Sequence, residues 1–464
     1  MWTGLCISGG DNQSCLKQPP ALSGHRIIYN SRDKCLYIVG GYLGYSDPTD
    51  RPHETDRYYR RVLRFNPFKR QLKDLTRTEN DAIGDEVLEP PPISMASHCA
   101  HFLPRSNRIL FYGGSLSPLG SINGNSNAVH TFDITSGKWS PPLEVSGDVP
   151  PRHCGHWFGQ ASVLDQSNDL LYVATGVLSF DVMNVRPGFD SENDESEYGT
   201  LLIHVLNLRT NVWKALWTVR DAEAANIENR KHTTLHINYP GCRVRHEIVL
   251  WRRKILVLGG SAEFLSDVLY GFDKLWSFDL DTRRWEMLTL HPDPNVPSIN
   301  RTNYPAKRMA FCCCTIGKLC SDSGEYEIDD GQNWSKLIVF GGLASRLEQE
   351  QEHRVRSDAW SLDMTSNTWK RIRSHDLLLP LWFFACALDD DSGVIYIHGG
   401  CDDASYRHRS NMIWKKQYTV GRLQGLALVT VLRNHADGLR HVLSLESLSH
   451  VSGIPLKDLT DLIQ

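Results

Sequence analysis

The sequence predicts an all-β protein in which six repeated units form a β-propeller, and two recurring features indicate it. The first is a short apolar run that ends in Gly-Gly in five copies and in Thr-Gly in one. The runs are LYIVGG (36–41), ILFYGG (109–114), LYVATG (171–176), ILVLGG (255–260), LIVFGG (337–342) and VIYIHGG (394–400). The second is a pair of large residues seven positions apart after each of the first five runs: Phe65 and Leu72, Phe132 and Trp139, Leu206 and Trp213, Phe278 and Trp285, Leu362 and Trp369. Units that repeat in this way cannot bury their own faces and stack on their neighbours.

Each part of the repeat has a physical role. A strand rich in Val, Ile, Leu and Tyr is buried on both faces between neighbouring blades. We predict that this run is the inner strand, and that its two glycines allow positive φ where the strand turns outward. We expect the large residue that ends a repeat to be wedged between adjacent blades, because aromatic side chains bury large areas. The residues predicted in these wedges are Trp139, Trp213, Trp285 and Trp369. The pattern is typical of a six-bladed propeller of Kelch type.

The repeats cover residues 21–417 of the 464-residue chain. The sixth unit has no terminal tryptophan of its own, and we expect residues 1–20 to supply its outer strand. Longer, polar insertions separate the repeats, and such loops often carry function on a rigid scaffold. They fall at 42–61, 190–198, 221–240, 291–305 and 346–356.

Residues 421–464 differ from the repeats and predict a short α-helical tail. Apolar and small residues recur there at helical spacing, beginning with Leu423, Leu426, Ala427 and Val431. The segment is too short to hold a core of its own, so its helices need another surface to bury against. That surface is either the propeller itself or a partner protein.

Composition excludes several classes of function. The formal net charge is −4 and the isoelectric point is near 6.5, so we expect no nucleic-acid partner. No apolar stretch reaches the length of a membrane span, and the N-terminus does not resemble a secretory signal. Twelve cysteines without zinc-type spacing indicate reduced thiols, no metal and no cofactor. We therefore expect a cytoplasmic protein, with the nucleus left open as a second location.

Several segments resemble the Kelch-repeat substrate receptors of cullin-2 type RING ubiquitin ligases. They are RVRHEI (243–248) with the following ILVLGGS and LWSFDLDTRRW, FGQA (158–161), PAKR (305–308) and VIYIHGG. The resemblance implies a non-catalytic receptor whose partners are elongin B, elongin C and cullin-2 with its RING subunit. It implies an elongin-binding helix at Leu423, Leu426, Ala427 and Val431, although Arg422 stands where the family has Ser. It also implies a cullin-binding segment with Leu448, Ile454, Pro455 and Leu459.

The same family reads the extreme C-terminus of a substrate, ending in Gly or Ala, in the mouth of the propeller. A buried carboxylate needs charge-assisted partners, and the planar guanidinium of arginine supplies them. The matching loops offer Arg243, Arg245, His246 and Arg308, and the aromatic residues Trp157, Phe158, Trp382 and Phe383 are expected to wall the pocket. The alternative for each arginine is a structural hydrogen bond between blades.

Two other classes of function compete with this interpretation. A metal oxidase would need more ligands than the neighbouring pairs His98 and His101, or His153 and His156, provide. A cytoskeletal or signalling scaffold would share the propeller but would have no use for an elongin-binding helix.

Overall fold

The computed structural model describes most of the propeller and not the C-terminal tail. The described residues are 2–7, 16, 18–43, 58–76, 92, 95–115, 126–150, 160–177, 200–216, 240–262, 268–296, 303–318, 334–345, 354–405 and 408–418. The predicted elongin-binding and cullin-binding residues therefore lie outside the described part of the chain, and so do Trp157 and Phe158. Within that part the structure contains strands and one 3₁₀ turn (Arg373–His375) but no α-helix. None of the residues described by the structure belongs to a helix long and apolar enough to cross a membrane.

Six antiparallel sheets form the blades, and each sheet follows the previous one along the chain. Two short strands, β1 (Thr3–Gly4) and β2 (Leu22–Ser23), come before blade 1. Blade 1 contains β3 (Arg26–Asn30), β4 (Cys35–Val39), β6 (Val62–Asn66) and β7 (Gln71–Asp74), while β5 (Tyr42–Leu43) pairs with β2. Blade 2 contains β8 (Cys99–Leu103), β9 (Arg108–Tyr112), β10 (Val129–Asp133) and β11 (Lys138–Trp139).

The third and fourth blades repeat this order. Blade 3 contains β13 (Ala161–Asp165), β14 (Leu170–Val177), β15 (Thr200–Asn207) and β16 (Val212–Ala215). A short parallel strand, β12 (Ser146–Gly147), is added at its outer edge. Blade 4 contains β17 (Glu247–Trp251), β18 (Lys254–Leu258), β19 (Lys274–Asp279) and β20 (Arg284–Thr289).

The last two blades differ in how they end. Blade 5 contains β21 (Cys312–Lys318), β22 (Trp334–Phe340), β23 (Ala359–Asp363) and β24 (Thr368–Arg371). Blade 6 contains β25 (Ala385–Asp389), β26 (Val394–His398) and β27 (Ile413–Gln417), and its fourth strand is β1.

The first strand of each blade lies innermost, because these six strands neighbour one another in a closed circle: β3, β8, β13, β17, β21, β25 and again β3. The all-β, six-bladed prediction is confirmed. The prediction that the glycine-ending run is the inner strand is wrong, because β4, β9, β14, β18, β22 and β26 are the second strands from the channel. Their apolar character remains explained, since a second strand is also covered on both faces by neighbouring blades.

The two large residues that lie seven positions apart in a repeat face each other on neighbouring strands of a hairpin. Phe278 pairs with Trp285 and Leu362 with Trp369 across the third and fourth strands of their blades. Trp139, Trp213 and Trp369 are buried as predicted, but Trp285 is only half-buried. The reason is that no residue of its edge strand β20 is fully covered.

Blade 6 obtains its outer strand and its missing tryptophan from the start of the chain. Thr3 pairs with Lys415 and Gly4 with Trp414, so the same register places Trp2 opposite Lys416. Lys416 pairs with Ile395 in blade 6 as Phe278 pairs with Ile255 in blade 4, so Lys416 and Phe278 occupy equivalent positions. Trp2 is buried against Phe340 of blade 5 and donates a hydrogen bond of 2.8 Å to the carbonyl oxygen of Asp376. Trp2 is therefore the wedge of blade 6.

Candidate binding site at the channel mouth

The mouth of the channel is built from one equivalent position in each blade, two residues before the innermost strand begins. The backbone is left-handed at all five of these positions that the structure describes, and all five residues line one cavity. They are Gly24 (φ 62°), Ser97 (φ 55°), Arg245 (φ 56°), Ala310 (φ 50°) and Phe383 (φ 61°). Non-glycine residues seldom adopt this conformation, so its recurrence marks a structural requirement of the mouth. The sixth position belongs to Gly159, outside the described residues.

Backbone hydrogen bonds tie these positions to one another around the channel. The amide of Ser97 donates to the carbonyl of Gly24 over 2.7 Å, and that of Gly24 donates to Phe383 over 3.0 Å. The amide of Phe383 in turn donates to Ala310 over 2.9 Å, and that of Ala310 donates to Arg245 over 3.0 Å. These bonds connect successive blades, so they fix the side chains of the mouth on a rigid frame.

The cavity comprises about 400 Å³ not occupied by protein atoms, counting its opening to solvent. Besides the five mouth positions, its wall is formed by the next one or two residues of the blades. These are His25, Arg26, Gln160, His246, Glu247, Phe311 and Phe384. All six blades thus contribute to one pocket, with three phenylalanine residues on the side of blades 5 and 6.

An ion pair crosses the channel within this cavity. Arg26 starts the inner strand of blade 1 and Glu247 starts that of blade 4, which is the opposite blade in a ring of six. The Nη1 atom of Arg26 lies 3.2 Å from Oε1 of Glu247, and its Nε donates to the carbonyl of His98 over 3.0 Å. Burial raises the pKa of Glu247, while the charge of Arg26 opposes that shift. The pair forms a polar crossbar between opposite walls.

Among the described residues that line the cavity, the charges leave a positive balance. Two arginines, Arg26 and Arg245, stand against one acidic residue, Glu247. Burial lowers the pKa of His25 well below its ordinary value and that of His246 to about 3, so both imidazoles are neutral near pH 7. The guanidinium carbon of Arg245 lies 4.0 Å from the centroid of the Phe383 ring. A guanidinium in such a site can bind an anionic group through charge-assisted hydrogen bonds.

Of the predicted pocket residues, Arg245, His246 and Phe383 line the cavity, whereas Arg308 does not. Arg308 is 0% exposed and forms two hydrogen bonds with Asp358, of 2.6 and 2.8 Å, and a third of 2.9 Å with the carbonyl of Gly341. Burial alone would raise the pKa of Asp358, but the charge of Arg308 brings it to about 2. This arrangement favours a structural role for Arg308 within blade 5.

Arg243 and Trp382 are also committed to contacts inside their own blades. The guanidinium of Arg243 lies 3.8 Å from the centroid of the Tyr270 ring and donates to the carbonyl of Gly259 over 3.2 Å. Burial lowers its pKa to about 10. Trp382 is fully buried, and its Nε1 donates to the carbonyl of Asp403 over 2.8 Å. Neither residue lines the cavity.

Sequence reasoning missed the two residues of the crossbar, Arg26 and Glu247. A signal for them was present, because the triplets GHR (24–26), SHC (97–99) and RHE (245–247) occupy the same frame before three inner strands. No group of three or more His, Cys, Asp or Glu side chains in the described part of the chain is arranged as a metal site.

The fold and the mouth define the class of protein: a six-bladed Kelch-type propeller with a pocket at one end of its channel. No protein-family model matches the chain. Comparison with curated proteins shows that it is homologous to Kelch domain-containing protein 10, as the motifs indicated. The rat protein is 25% identical over 422 residues, which cover 91% of this chain and 81% of that protein.

The human protein is 24% identical over 412 residues, covering 89% of this chain and 73% of its own length. The Drosophila melanogaster homolog is 26% identical over 412 residues, which cover 87% of this chain and 56% of that protein. Among solved structures, the structure of YjhT matches with a TM-score of 0.49 and 12% identity, over 86% of this chain and 96% of that one.

Proposed function

We propose that this chain is the substrate-recognition subunit of a cullin-2 type ubiquitin ligase, and that its propeller mouth binds the C-terminus of a substrate protein. The observation that carries the proposal is Arg245, placed against Phe383 in a cavity of positive balance. An α-carboxylate is the anion that every unmodified protein chain presents at one defined end. The guanidinium fork suits it because it can donate two parallel hydrogen bonds.

The crossbar supports binding of a chain end rather than a passing segment. The ion pair of Arg26 and Glu247 joins opposite walls of the channel, so an extended peptide entering at the mouth meets it. Threading a chain past the pair would break a partly buried charge interaction, which is unfavourable. A terminus that stops at Arg245 leaves the pair intact.

The residues that line the cavity favour a small last residue in the bound substrate. The ring of Phe383 packs on the guanidinium of Arg245 inside the cavity, so the last residue of a bound chain would lie beside this ring. Glycine and alanine fit such a space, while a large side chain would have to displace a phenylalanine ring that the backbone frame holds in place. We therefore propose Gly or Ala as the last residue of the substrate.

The test compares two forms of one peptide, a free acid ending in Gly or Ala and the same peptide with an amidated C-terminus. The free acid is expected to bind more tightly by two to three decades, because leaving one partner of a buried charge pair unmatched costs about 2–5 kcal/mol. Isothermal titration calorimetry at constant salt measures both affinities. Equal affinity of the two forms would refute carboxylate recognition.

Variants of the protein locate the interaction. Arg245→Ala is expected to lower the affinity for the free-acid peptide to that of the amidated peptide. It should change the affinity for the amidated peptide little, because the substitution and the amidation remove the same contact. The backbone tolerates this exchange, since Ala310 has φ 50° at the equivalent position of blade 5. Arg283→Ala is the matched control: it removes an arginine at φ 52° from an exposed turn and should leave both affinities unchanged.

A further inference from the structure

Two cysteine thiols lie close together where the inner strands of blades 5 and 6 pack, a contact region that we call the seam between these blades. Cys314, on the innermost strand β21, has its Sγ atom 3.3 Å from the Sγ atom of Cys386, on the innermost strand β25. A third thiol belongs to the same seam, because Cys312 donates a hydrogen bond of 3.1 Å to the carbonyl oxygen of Phe384. Both strands are regular over these residues.

The repeat itself fixes this approach. In blades 2 and 3 the equivalent positions are occupied by His101 and Ser162, whose Nε2 and Oγ atoms lie 2.6 Å apart. The neighbouring contact is repeated as well, since Cys99 donates to the carbonyl oxygen of Gln160 as Cys312 does to Phe384. The same cross-blade register thus brings two side chains together in both seams, and in the second seam both are cysteines.

We propose that Cys314 and Cys386 form a reversible disulfide between blades 5 and 6 when the protein is exposed to a peroxide. A disulfide has an S–S bond of about 2.05 Å, so the sulfur atoms need to close by roughly 1.3 Å. Adjustment of the two χ1 angles is the expected route, since the two strands already pack as neighbours. The bond would close a loop of 72 residues, from position 314 to position 386, and loops of this size gain stability from a cross-link.

The chemistry proceeds in two balanced steps. The sulfur of Cys386 attacks hydrogen peroxide and forms a sulfenic acid, releasing one molecule of water. The sulfur of Cys314 then attacks the sulfenic sulfur, forms the S–S bond and releases a second molecule of water, so that two thiols are oxidised and one peroxide is reduced. A dithiol reverses the reaction by thiol–disulfide exchange.

The surroundings assign the first step to Cys386. Its side chain is only partly buried, whereas that of Cys314 is buried, so a small oxidant reaches Cys386 first. Hydrogen bonds with the neighbouring thiols of Cys312 and Cys314 lower the pKa of Cys386. The pKa of Cys314 is raised by its hydrogen bond to Cys386 and by burial. The thiolate is the attacking nucleophile, and we assign the first attack to Cys386 because it is the more exposed of the two thiols.

The experiment treats the full-length protein with hydrogen peroxide, blocks the remaining thiols by alkylation and maps disulfides by tandem mass spectrometry without reduction. We expect a cross-linked peptide pair that contains Cys314 and Cys386 and disappears after dithiothreitol. The thermal midpoint of the oxidised protein should rise by a few degrees and return on reduction.

Three variants separate this pair from its neighbours. Cys314→Ser and Cys386→Ser should each abolish the cross-link and the thermal shift. Cys313→Ser is the matched control, because Cys313 is adjacent on β21 and its side chain points to the opposite face of the strand, so both effects should persist. A cross-link of Cys386 to Cys312 or Cys313, or oxidation of Cys386 without any cross-link, would overturn the proposal. The result is independent of peptide binding at the mouth.

Discussion

Single tryptophan side chains couple several blades to the blade before them, but not to the same extent. Trp369 of blade 5 is fully buried against Phe272 of blade 4, with ring centroids 5.8 Å apart, and its Nε1 donates to the carbonyl oxygen of Phe272 over 2.7 Å. Trp285 of blade 4 is half-buried and packs mainly on Phe278 of its own blade, at 4.9 Å. The same residue type at the same repeat position thus contributes differently to stability.

We predict that Trp369→Ala lowers the free energy of unfolding by about 3–5 kcal/mol, as expected when a large buried side chain leaves a cavity. The change also leaves the Phe272 carbonyl without its indole donor, which adds to the loss. Trp285→Ala should cost clearly less, because much of that ring is already in contact with water. Chemical denaturation of both variants measures the difference, and equal losses would contradict the burial difference described above.

In four of the seams between neighbouring blades, the residue just before the inner strand packs its ring against the first glycine of the preceding blade's pair. A Cβ atom on Gly40 of blade 1 would lie 3.0 Å from Cε1 of His98 in blade 2. In the same way, a Cβ atom on Gly259 of blade 4 would lie 2.7 Å from Cε1 of Phe311 in blade 5. The first glycine therefore makes room for a ring, and that ring is a histidine in some blades and a phenylalanine in others.

The histidines of these seams make the stability depend on pH. Burial lowers the pKa of His98 well below its ordinary value of 6.5. Above pH 6.5 the imidazole is neutral in both the folded and the unfolded chain. As the pH falls below 6.5, the unfolded chain takes up a proton that the folded chain does not, so stability is lost toward acid. The loss is about 1.4 kcal/mol per pH unit for each such residue.

We predict that His98→Phe reduces the loss of stability between pH 7.5 and pH 5.5 by about 1.4 kcal/mol. Phenylalanine suits the position, since Phe311 and Phe384 occupy it in blades 5 and 6. Urea unfolding at the two pH values measures the effect. His408→Phe, at an exposed position, is the control and should leave the pH dependence as it is. If the pH dependence of stability is unchanged in His98→Phe, burial in this seam does not lower the pKa of His98.

At the scale of the whole molecule, the start of the chain closes the ring. β1 completes blade 6, and Trp2 fills the seam between blades 5 and 6. Closure brings all six mouth loops to one end of the channel, which is why residues as distant in sequence as Arg26 and Glu247 meet. The proposed ligase role requires the predicted tail, residues 421–464, to contact elongin C.

For the complete chain we predict co-purification with elongin B and elongin C, and its loss in a form truncated after Tyr418. Leu423→Asp should have the same effect, because an unpaired charge is strongly disfavoured in an apolar pocket of the partner. The thermal midpoint of the propeller should stay nearly unchanged in this variant. A destabilised propeller would instead indicate that the tail packs on the ring, and retained binding would favour a scaffold without a ligase role.

The sequence by itself determined the number of blades and the hairpins within them. Residues seven positions apart, such as Phe132 and Trp139, are direct partners on neighbouring strands because a short turn joins them. Glycine pairs likewise mark a local backbone requirement, because both glycines have positive φ in the five repeats that carry them. These features depend on neighbours along the chain, so their spacing is visible in the sequence.

Only the tertiary structure decided which side chains face one another across the ring. Arg245 and Arg308 both precede inner strands, yet Arg245 lines the mouth and Arg308 pairs with Asp358, fifty residues further on. Trp2 and the crossbar of Arg26 and Glu247 likewise find their partners only when the circle closes. Such contacts depend on the relative placement of whole blades, and the local spacing of residues carries no record of it.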